Sequence, residues 1–190
     1  MSASDTLSEP APPEEPTLRS FIRTIPDFPV PGIQFRDVTT LFQDARAFRR
    51  AVDALSAPFA DRGLEVIVAM DARGFILGGA MAYALGLPFV PIRKKGKLPG
   101  ATLMESYTLE YGEASVEIHD DAFAAGAKVL LIDDLIATGG TAIAGVRLIE
   151  RLGGDLVAAG FVVDLPDLGG RRKLEAMGVE THVLMEFDGE

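Results

Sequence analysis

Residues 129–142 read VLLIDDLIATGGTA, and few folds accommodate such a stretch. Val129 to Ile132 is a short apolar run of the kind buried in a parallel sheet, and Gly145 together with Val146 to Leu152 continues an apolar pattern of helical period. The turn between them therefore lies at the carboxyl end of a strand, where open α/β sheets bind ligands. Ala137, Thr138, Gly139, Gly140 and Thr141 form that turn. Its residues can offer successive backbone N–H groups and two hydroxyls to a phosphate at a helix N-terminus, where the helix dipole favours negative charge. Asp133 and Asp134 cannot bind that phosphate themselves. Two adjacent carboxylates beside an anion site need another partner, such as sugar hydroxyls or a divalent cation, to offset their repulsion. The competing reading is an ordinary strand-to-helix turn with a solvated acidic cap. A dinucleotide or Walker loop fits worse, because neither glycine spacing is present and no Lys follows Gly140.

The rest of the chain alternates as a doubly wound sheet requires. Strands are expected at Glu65 to Met70, Pro88 to Ile92, Val129 to Ile132, Leu156 to Val163 and Val179 to Met185. Helices are expected at Leu18 to Ile25, Arg46 to Arg62, Phe75 to Leu85, after Gly140 through Leu152, and Arg171 to Met177. This order predicts an α/β fold with a mainly parallel sheet and helices on both faces. Between Leu103 and Ile118, apolar and polar residues alternate around Gly112, which predicts a β-hairpin inserted in the α/β pattern, within about residues 98–118. Inserted hairpins often act as lids.

Composition narrows the function classes. With 190 residues, 48% of them hydrophobic and 24% charged, the chain can bury one real core. A net charge of −10 argues against a general nucleic-acid or anionic-membrane surface. The absence of Cys excludes disulfides and thiolate metal sites and favours a reducing compartment, so a cytoplasmic location is expected. No segment approaches the roughly 18 uninterrupted apolar residues of a membrane span. Residues 1–16 are acidic and proline-rich with no apolar signal region, and read as a disordered tail before a single domain at 17–190. His119 and His182 lack clustered partners and read as structural or surface groups.

Three further stretches carry chemistry. MDARGF, residues 70–75, also follows a strand and precedes a helix, which sets Asp71, Ala72 and Arg73 on the same sheet edge as Asp133. Two anion-capable loops on one edge suit a ligand with two separated phosphate groups. IRKKGKLPG, residues 92–100, packs Arg93, Lys94, Lys95 and Lys97 into an otherwise acidic protein. Without interleaved aromatics it fits a polyanionic small ligand better than nucleic acid, and it can hold a leaving group on which charge develops. PDFPVPGIQFRDVTTL, residues 26–41, places Phe35 where it can offer a flat face to an aromatic ligand, or equally serve as an N-terminal core residue.

Taken together, the acidic pair with its glycine turn resembles the signature of the type I phosphoribosyltransferases. Residues 26–41, 93–100 and 105–112 (ESYTLEYG) resemble the members of that family that use adenine. The resemblance runs from Leu18 to the C-terminus. It implies a phosphoribosyl group passing from phosphoribosyl pyrophosphate to adenine, giving AMP and pyrophosphate in purine salvage. It further implies that Asp133 and Asp134 hold the ribose hydroxyls and Ala137 to Thr141 the 5-phosphate. Asp71, Ala72, Arg73, Arg93, Lys94 and Lys97 would hold pyrophosphate, with a cis peptide between Asp71 and Ala72. Phe35 would stack on the purine while backbone near Gln34 and Arg36 reads its edge, within a small N-terminal hood that Arg36 and Asp37 fix. Glu110 would manage the purine N7 proton and Tyr111 would shield the site from the lid; Glu105 is the competing carboxylate. By the same resemblance Mg²⁺ arrives with the substrate, bound mainly through ligand oxygens with Asp133 and Asp134 as the protein carboxylates within its reach, and a basic residue of residues 93–97 reaches the neighbouring subunit of a homodimer. Another purine as acceptor, or a non-catalytic sensor of the same ligands, are the alternatives.

Overall fold

The computed structural model describes residues 15–109 and 112–189, so Glu110, Tyr111 and residues 1–14 of the expected tail lie outside the described residues. Two strands, β1 (Arg23–Pro26) and β2 (Gln34–Asp37), form a separate antiparallel hairpin. Strands β3 (Val66–Met70), β4 (Phe89–Lys94), β5 (Thr102–Leu109), β6 (Gly112–His119), β7 (Lys128–Ile136), β8 (Asp155–Asp164) and β9 (Thr181–Glu186) build a seven-stranded sheet in the order β5-β6-β4-β3-β7-β8-β9. The β4-β3-β7-β8-β9 portion is parallel throughout, and the β5–β6 hairpin extends its edge in antiparallel pairing with β4.

Every residue of β3 is buried, because helices cover both faces. On one face, Ile67, Ala69, Leu130 and Ile132 belong to a core with Leu41, Leu55, Leu77 and Met81. These four come from the short α1 (Thr39–Gln43), α2 (Ala45–Ser56) and α3 (Gly74–Leu85). On the other, Val66, Val68, Met70 and Leu131 join Val146, Leu148 and Leu174, from α4 (Gly140–Arg151) and α5 (Gly170–Ala176). Alternation along each strand thus divides the apolar residues between two cores. The expected doubly wound, mainly parallel α/β fold is present. Asp44 caps α2 by accepting from the Arg46 and Ala47 N–H groups at 3.0 and 2.8 Å, and the buried Ala47, Ala51, Val52 and Leu55 give that helix its inward stripe.

Local expectations differ from the structure at four places. The helix expected over Leu18–Ile25 is a 3₁₀ turn at Leu18–Phe21 followed by β1, since Ile25 pairs with Phe35 and Pro26 cannot continue a helix. Helix α2 stops at Ser56 and passes into a 3₁₀ turn at Ala57–Phe59, where Pro58 has no N–H with which to continue the helical ladder. Strand β7 does not end at Ile132. It continues through Asp133 and Asp134 to Ile136, because β8 pairs alongside it as far as Ile136↔Asp164. The hairpin expected at Leu103–Ile118 is there, but it belongs to the main sheet, with Arg93↔Glu117 and Lys94↔Val116 in register.

Glycine in α3 sets how closely that helix approaches β3. A Cβ on Gly78 would lie 2.7 Å from the Ala69 Cβ and 3.1 Å from the Phe89 ring. Gly78→Ala gains about 1 kcal/mol of helix propensity, but overpacking a tight core contact costs about 1 to 3 kcal/mol. The clash should win, leaving the variant less stable by roughly 1 kcal/mol in urea unfolding. A rise in stability would show that α3 can move away from the sheet.

Candidate active site

Because β3, β4 and β7 run parallel, their carboxyl ends open on the same edge of the sheet, and the residues that follow them wall one cleft of about 730 Å³. Its lining includes Asp71, Ala72, Arg73, Lys94, Asp133, Asp134 and the whole turn from Ala137 to Thr141. Two loops read separately from the sequence therefore share one chamber.

The acidic pair is held from the side by the loop after β3. Asp134 is buried at 4% exposure, and its Oδ2 accepts a hydrogen bond from Arg73 Nε. Burial works against the Arg73 guanidinium, yet the adjacent Asp134 carboxylate, with Asp133 and Asp37 behind it, pushes its pKa above the usual arginine range. Among the described residues, Asp133 has no such ion pair of its own. Burial first, and the Asp134 charge second, push its carboxyl well above the usual carboxylate range. Its Oδ1 accepts the Asp134 backbone N–H at 2.9 Å. Gly74 makes this packing possible, since a Cβ there would stand 2.9 Å from Asp133 Oδ1 and 3.0 Å from the Ile132 carbonyl oxygen.

Beyond the acids, Gly139 adopts a left-handed conformation at φ 84° and caps α4, whose first turn has N–H groups without intrahelical partners. The turn is braced by the first turn of α5. The Gly170 N–H donates to the Ala137 carbonyl at 2.9 Å, and Lys173 Nζ donates to the Thr138 carbonyl at 2.8 Å. A Cβ on Gly170 would stand 2.4 Å from the Ala137 oxygen, so only glycine lets these two backbones touch. Sequence reasoning passed over Gly170; the Gly169–Gly170 pair between strand and helix was the available signal.

The loop after β3 contains the expected cis peptide between Asp71 and Ala72. The basic segment divides differently from expectation. Lys94 and Lys95 line the cleft, whereas Arg93 and Lys97 do not. Arg93 Nε instead donates to Asp71 Oδ2 at 3.2 Å, and its Nη1 donates to the Lys97 carbonyl at 3.4 Å, joining the two loops. Below them Glu117 is buried, and one of its carboxylate oxygens accepts the Lys97 and Leu98 N–H groups, both at 2.9 Å. The Leu98 N–H, outweighing burial and joined by the other loop donors, holds the Glu117 carboxyl below the usual range. Tyr107, Ser115 and Glu117 were not singled out as site residues from sequence, because their roles depend on where β6 lies beside β4, and Lys95 was named only as one of the basic cluster.

Phe35 stands in the hood hairpin, edge-on to Phe28 with ring centroids 5.1 Å apart, and its ring centroid lies 5.9 Å from the Arg73 guanidinium carbon. Gln34, Phe35 and Arg36 are not on the cleft wall; the hood brings Phe35 to its rim through Arg73. Glu105 is turned away to α4, where Arg147 and Arg151 reach it at 3.2 and 3.1 Å. Glu110 and Tyr111 fall outside the described residues.

Residues 40–182 match the family model of the phosphoribosyl transferase domain. The adenine phosphoribosyltransferase of Cereibacter sphaeroides is 64% identical over 173 residues, covering 91% of this chain and 97% of that protein. Among solved structures, the adenine phosphoribosyltransferase of Rhodothermus marinus is 49% identical with a TM-score of 0.84, covering 90% of this chain and 96% of its own. The Saccharomyces cerevisiae enzyme, solved with an imino-altritol bisphosphate and adenine, is 38% identical with a TM-score of 0.83, covering 88% of this chain and 96% of its own. With the fold, the acidic pair and the glycine turn in agreement with these likenesses, the chain belongs to the phosphoribosyltransferase family, in its adenine phosphoribosyltransferase branch.

Proposed function

We propose that the protein transfers the phosphoribosyl group of phosphoribosyl pyrophosphate to adenine, giving AMP and pyrophosphate. One observation carries this reading: a helix N-terminal glycine turn, an acidic pair whose Asp134 is buried, and a cationic loop face a single cleft at one sheet edge. In this reading the turn from Ala137 to Thr141 holds the 5-phosphate, and Asp133 and Asp134 hold the ribose hydroxyls. The Asp71–Arg73 loop, Lys94 and Lys95 receive the pyrophosphate, while Arg93 and Lys97 act as struts that fix those loops. Phe35 stacks on the purine, and backbone beside Gln34 and Arg36 reads its edge. As the purine N9 forms its bond to C1, the bond from C1 to the pyrophosphate oxygen breaks and the pair of electrons leaves with pyrophosphate. Glu110 takes the proton that N7 releases, and Tyr111 helps exclude water that would hydrolyse the sugar. The pairing of Glu105 with two arginines supports Glu110 over it.

Mg²⁺ belongs to the proposal as a partner of the substrate. Asp133 and Asp134 are the donors this site offers it, and bound there it would offset negative charge on the pyrophosphate. The reading also takes a cytoplasmic homodimer. Helix α3 is apolar on its outer side too, leaving Ile76 at 46% and Tyr83 at 92% exposure one above the other on a single face. Among the described residues no helix is long and apolar enough to cross a membrane.

The test supplies the protein with Mg²⁺, phosphoribosyl pyrophosphate and each purine in turn. A site built for the adenine amino group leaves polar groups unpaired when a 6-oxo purine enters, so kcat/KM for adenine should exceed that for hypoxanthine or guanine by at least about a hundredfold. Comparable rates with hypoxanthine would overturn the assignment. Glu110→Gln should lower turnover by about two to four orders of magnitude with little change in phosphoribosyl pyrophosphate binding, and Glu105→Gln should be far milder.

Asparagine substitutions should separate function from stability in the acidic pair. Asp133→Asn and Asp134→Asn should each cost about 2 to 4 kcal/mol of transition-state stabilisation. Their melting temperatures should move in opposite directions. The raised Asp133 carboxyl opposes folding at neutral pH, a penalty that is absent below the ordinary carboxylate pKa and grows as pH climbs to the raised value. Asp133→Asn should therefore melt higher than the parent at neutral pH, with the gap closing in acid. Asp134→Asn strips the half-buried Arg73 of its carboxylate and should melt lower. Melting curves across pH check both, and a lower neutral melting point for Asp133→Asn would show that its charge is already compensated.

A further inference from the structure

An isolated two-stranded hairpin is marginally stable, and β1–β2 is not part of the main sheet. What fixes the Phe35 strand is therefore a question of its attachments. Asp37 ties the two strands together by accepting from Arg23 Nη2 at 2.5 Å, and joins the hairpin to the start of α1 by accepting from Thr39 Oγ1 at 2.5 Å. At its base the hairpin is attached through Ile22 and Val38, both buried in the core, and through the Arg23 N–H, which donates to Thr40 Oγ1 at 3.3 Å; on the outer side of β2 the attachment runs through Arg36. Successive residues of a strand project to opposite faces, so Arg36 points away from the side on which Phe35 meets Phe28 and Arg73. On that far side its Nη1 donates to Thr24 Oγ1 at 2.6 Å and its Nη2 to the Asp188 carbonyl at 2.8 Å. Its guanidinium carbon lies 4.8 Å from the Phe187 ring centroid, and that of Arg19 lies 4.0 Å from the same ring. Arg19 also donates to the Glu186 carbonyl. Phe187 is 5% exposed, its N–H donates to the Asp164 carbonyl at 3.0 Å, and the Gly189 N–H donates to Asp167 Oδ2 at 2.9 Å.

We infer that the segment from Glu186 to Gly189 is a clasp that positions the purine-binding strand: it leaves β9 of the main sheet, is pinned to the β8 side of the molecule, and holds Arg36 from behind so that Phe35 presents its face at the cleft. Phe187 and Asp188 are thus positioning residues for the acceptor base, and they do not touch the phosphate-binding half of the site. Cation–π contact and a hydrogen bond to a fixed carbonyl limit the rotation that a free hairpin would have. The inference rests on the proposed use of Phe35, and its test keeps the two apart.

Two variants test it: a chain ending at Phe187, which loses the Asp188 and Gly189 contacts, and Phe187→Ala, with Phe187→Tyr as the conservative rescue. KM for adenine should rise by about five- to fiftyfold in the first two and return near the parent in the third, while the Kd for phosphoribosyl pyrophosphate stays within about twofold. Amide hydrogen exchange without ligands should speed up across residues 23–37 and remain unchanged in β3 and β7. Should Phe187→Ala fail to fold, the shortened chain decides. Unchanged exchange in the hood, an unchanged adenine KM, or equal weakening of adenine and phosphoribosyl pyrophosphate would each overturn the clasp. An intact protein that makes no AMP would instead overturn the function, with the exchange measurement still deciding whether the clasp holds the hood.

Discussion

The hydrogen-bonded ion pair between Arg73 and Asp134 is the contact on which the site depends. It links the loop after β3 to the strand that carries both acids, and it exists because β3 and β7 are parallel neighbours whose carboxyl ends rise together. Its value is positional. Arg73 is 42% exposed, so solvent screens much of the attraction, and desolvating Asp134 offsets part of the remainder. What the pair secures is a fixed place for the guanidinium at the mouth of the cleft, between Phe35 on the hood and the acids on the sheet.

Asp133 shows what such a site costs in stability. Its carboxyl is buried beside another carboxylate and pushed upward, while the nearest cation is committed to its neighbour. A core built only for stability would not retain that charge. A ligand presenting hydroxyl donors or a cation removes the conflict, so the strain is relieved by binding. In the proposed function, the raised carboxyl and the glycine turn serve as complementary halves of a site for a molecule with a sugar flanked by phosphates.

Close backbone approach is the second recurring device. Gly74 against Asp133 and Gly170 against the Ala137 carbonyl bring loops into contact at distances no side chain would permit. Glu117 achieves a similar result electrostatically, gathering the Lys97 and Leu98 amides beneath the basic loop so that Lys94 and Lys95 are presented to the cleft. Rigid placement before ligand arrives lowers the entropy that binding must otherwise supply.

The sequence by itself determined the alternation of strands and helices, the two anion-capable loops and their common edge, because these follow from local periodicity, glycine placement and the rule that parallel strands expose their carboxyl ends together. The acids at the cleft were legible for the same reason, since they sit inside a short motif, whereas the residues around Phe35 left it open between an aromatic face and a core position. Tertiary structure alone decided which cations face the cleft. Arg93 and Lys94 are adjacent in sequence, yet one is spent on Asp71 and the other lines the chamber, since strand pairing with β6 sends neighbours to opposite sides. It also decided the length of β7, which depends on the ladder offered by β8, and the conversion of the expected first helix into β1, which depends on β2. The partnership of Arg36 with Phe187 and Asp188 joins residues more than 150 positions apart, a separation at which no local pattern operates and only the packed fold makes them neighbours.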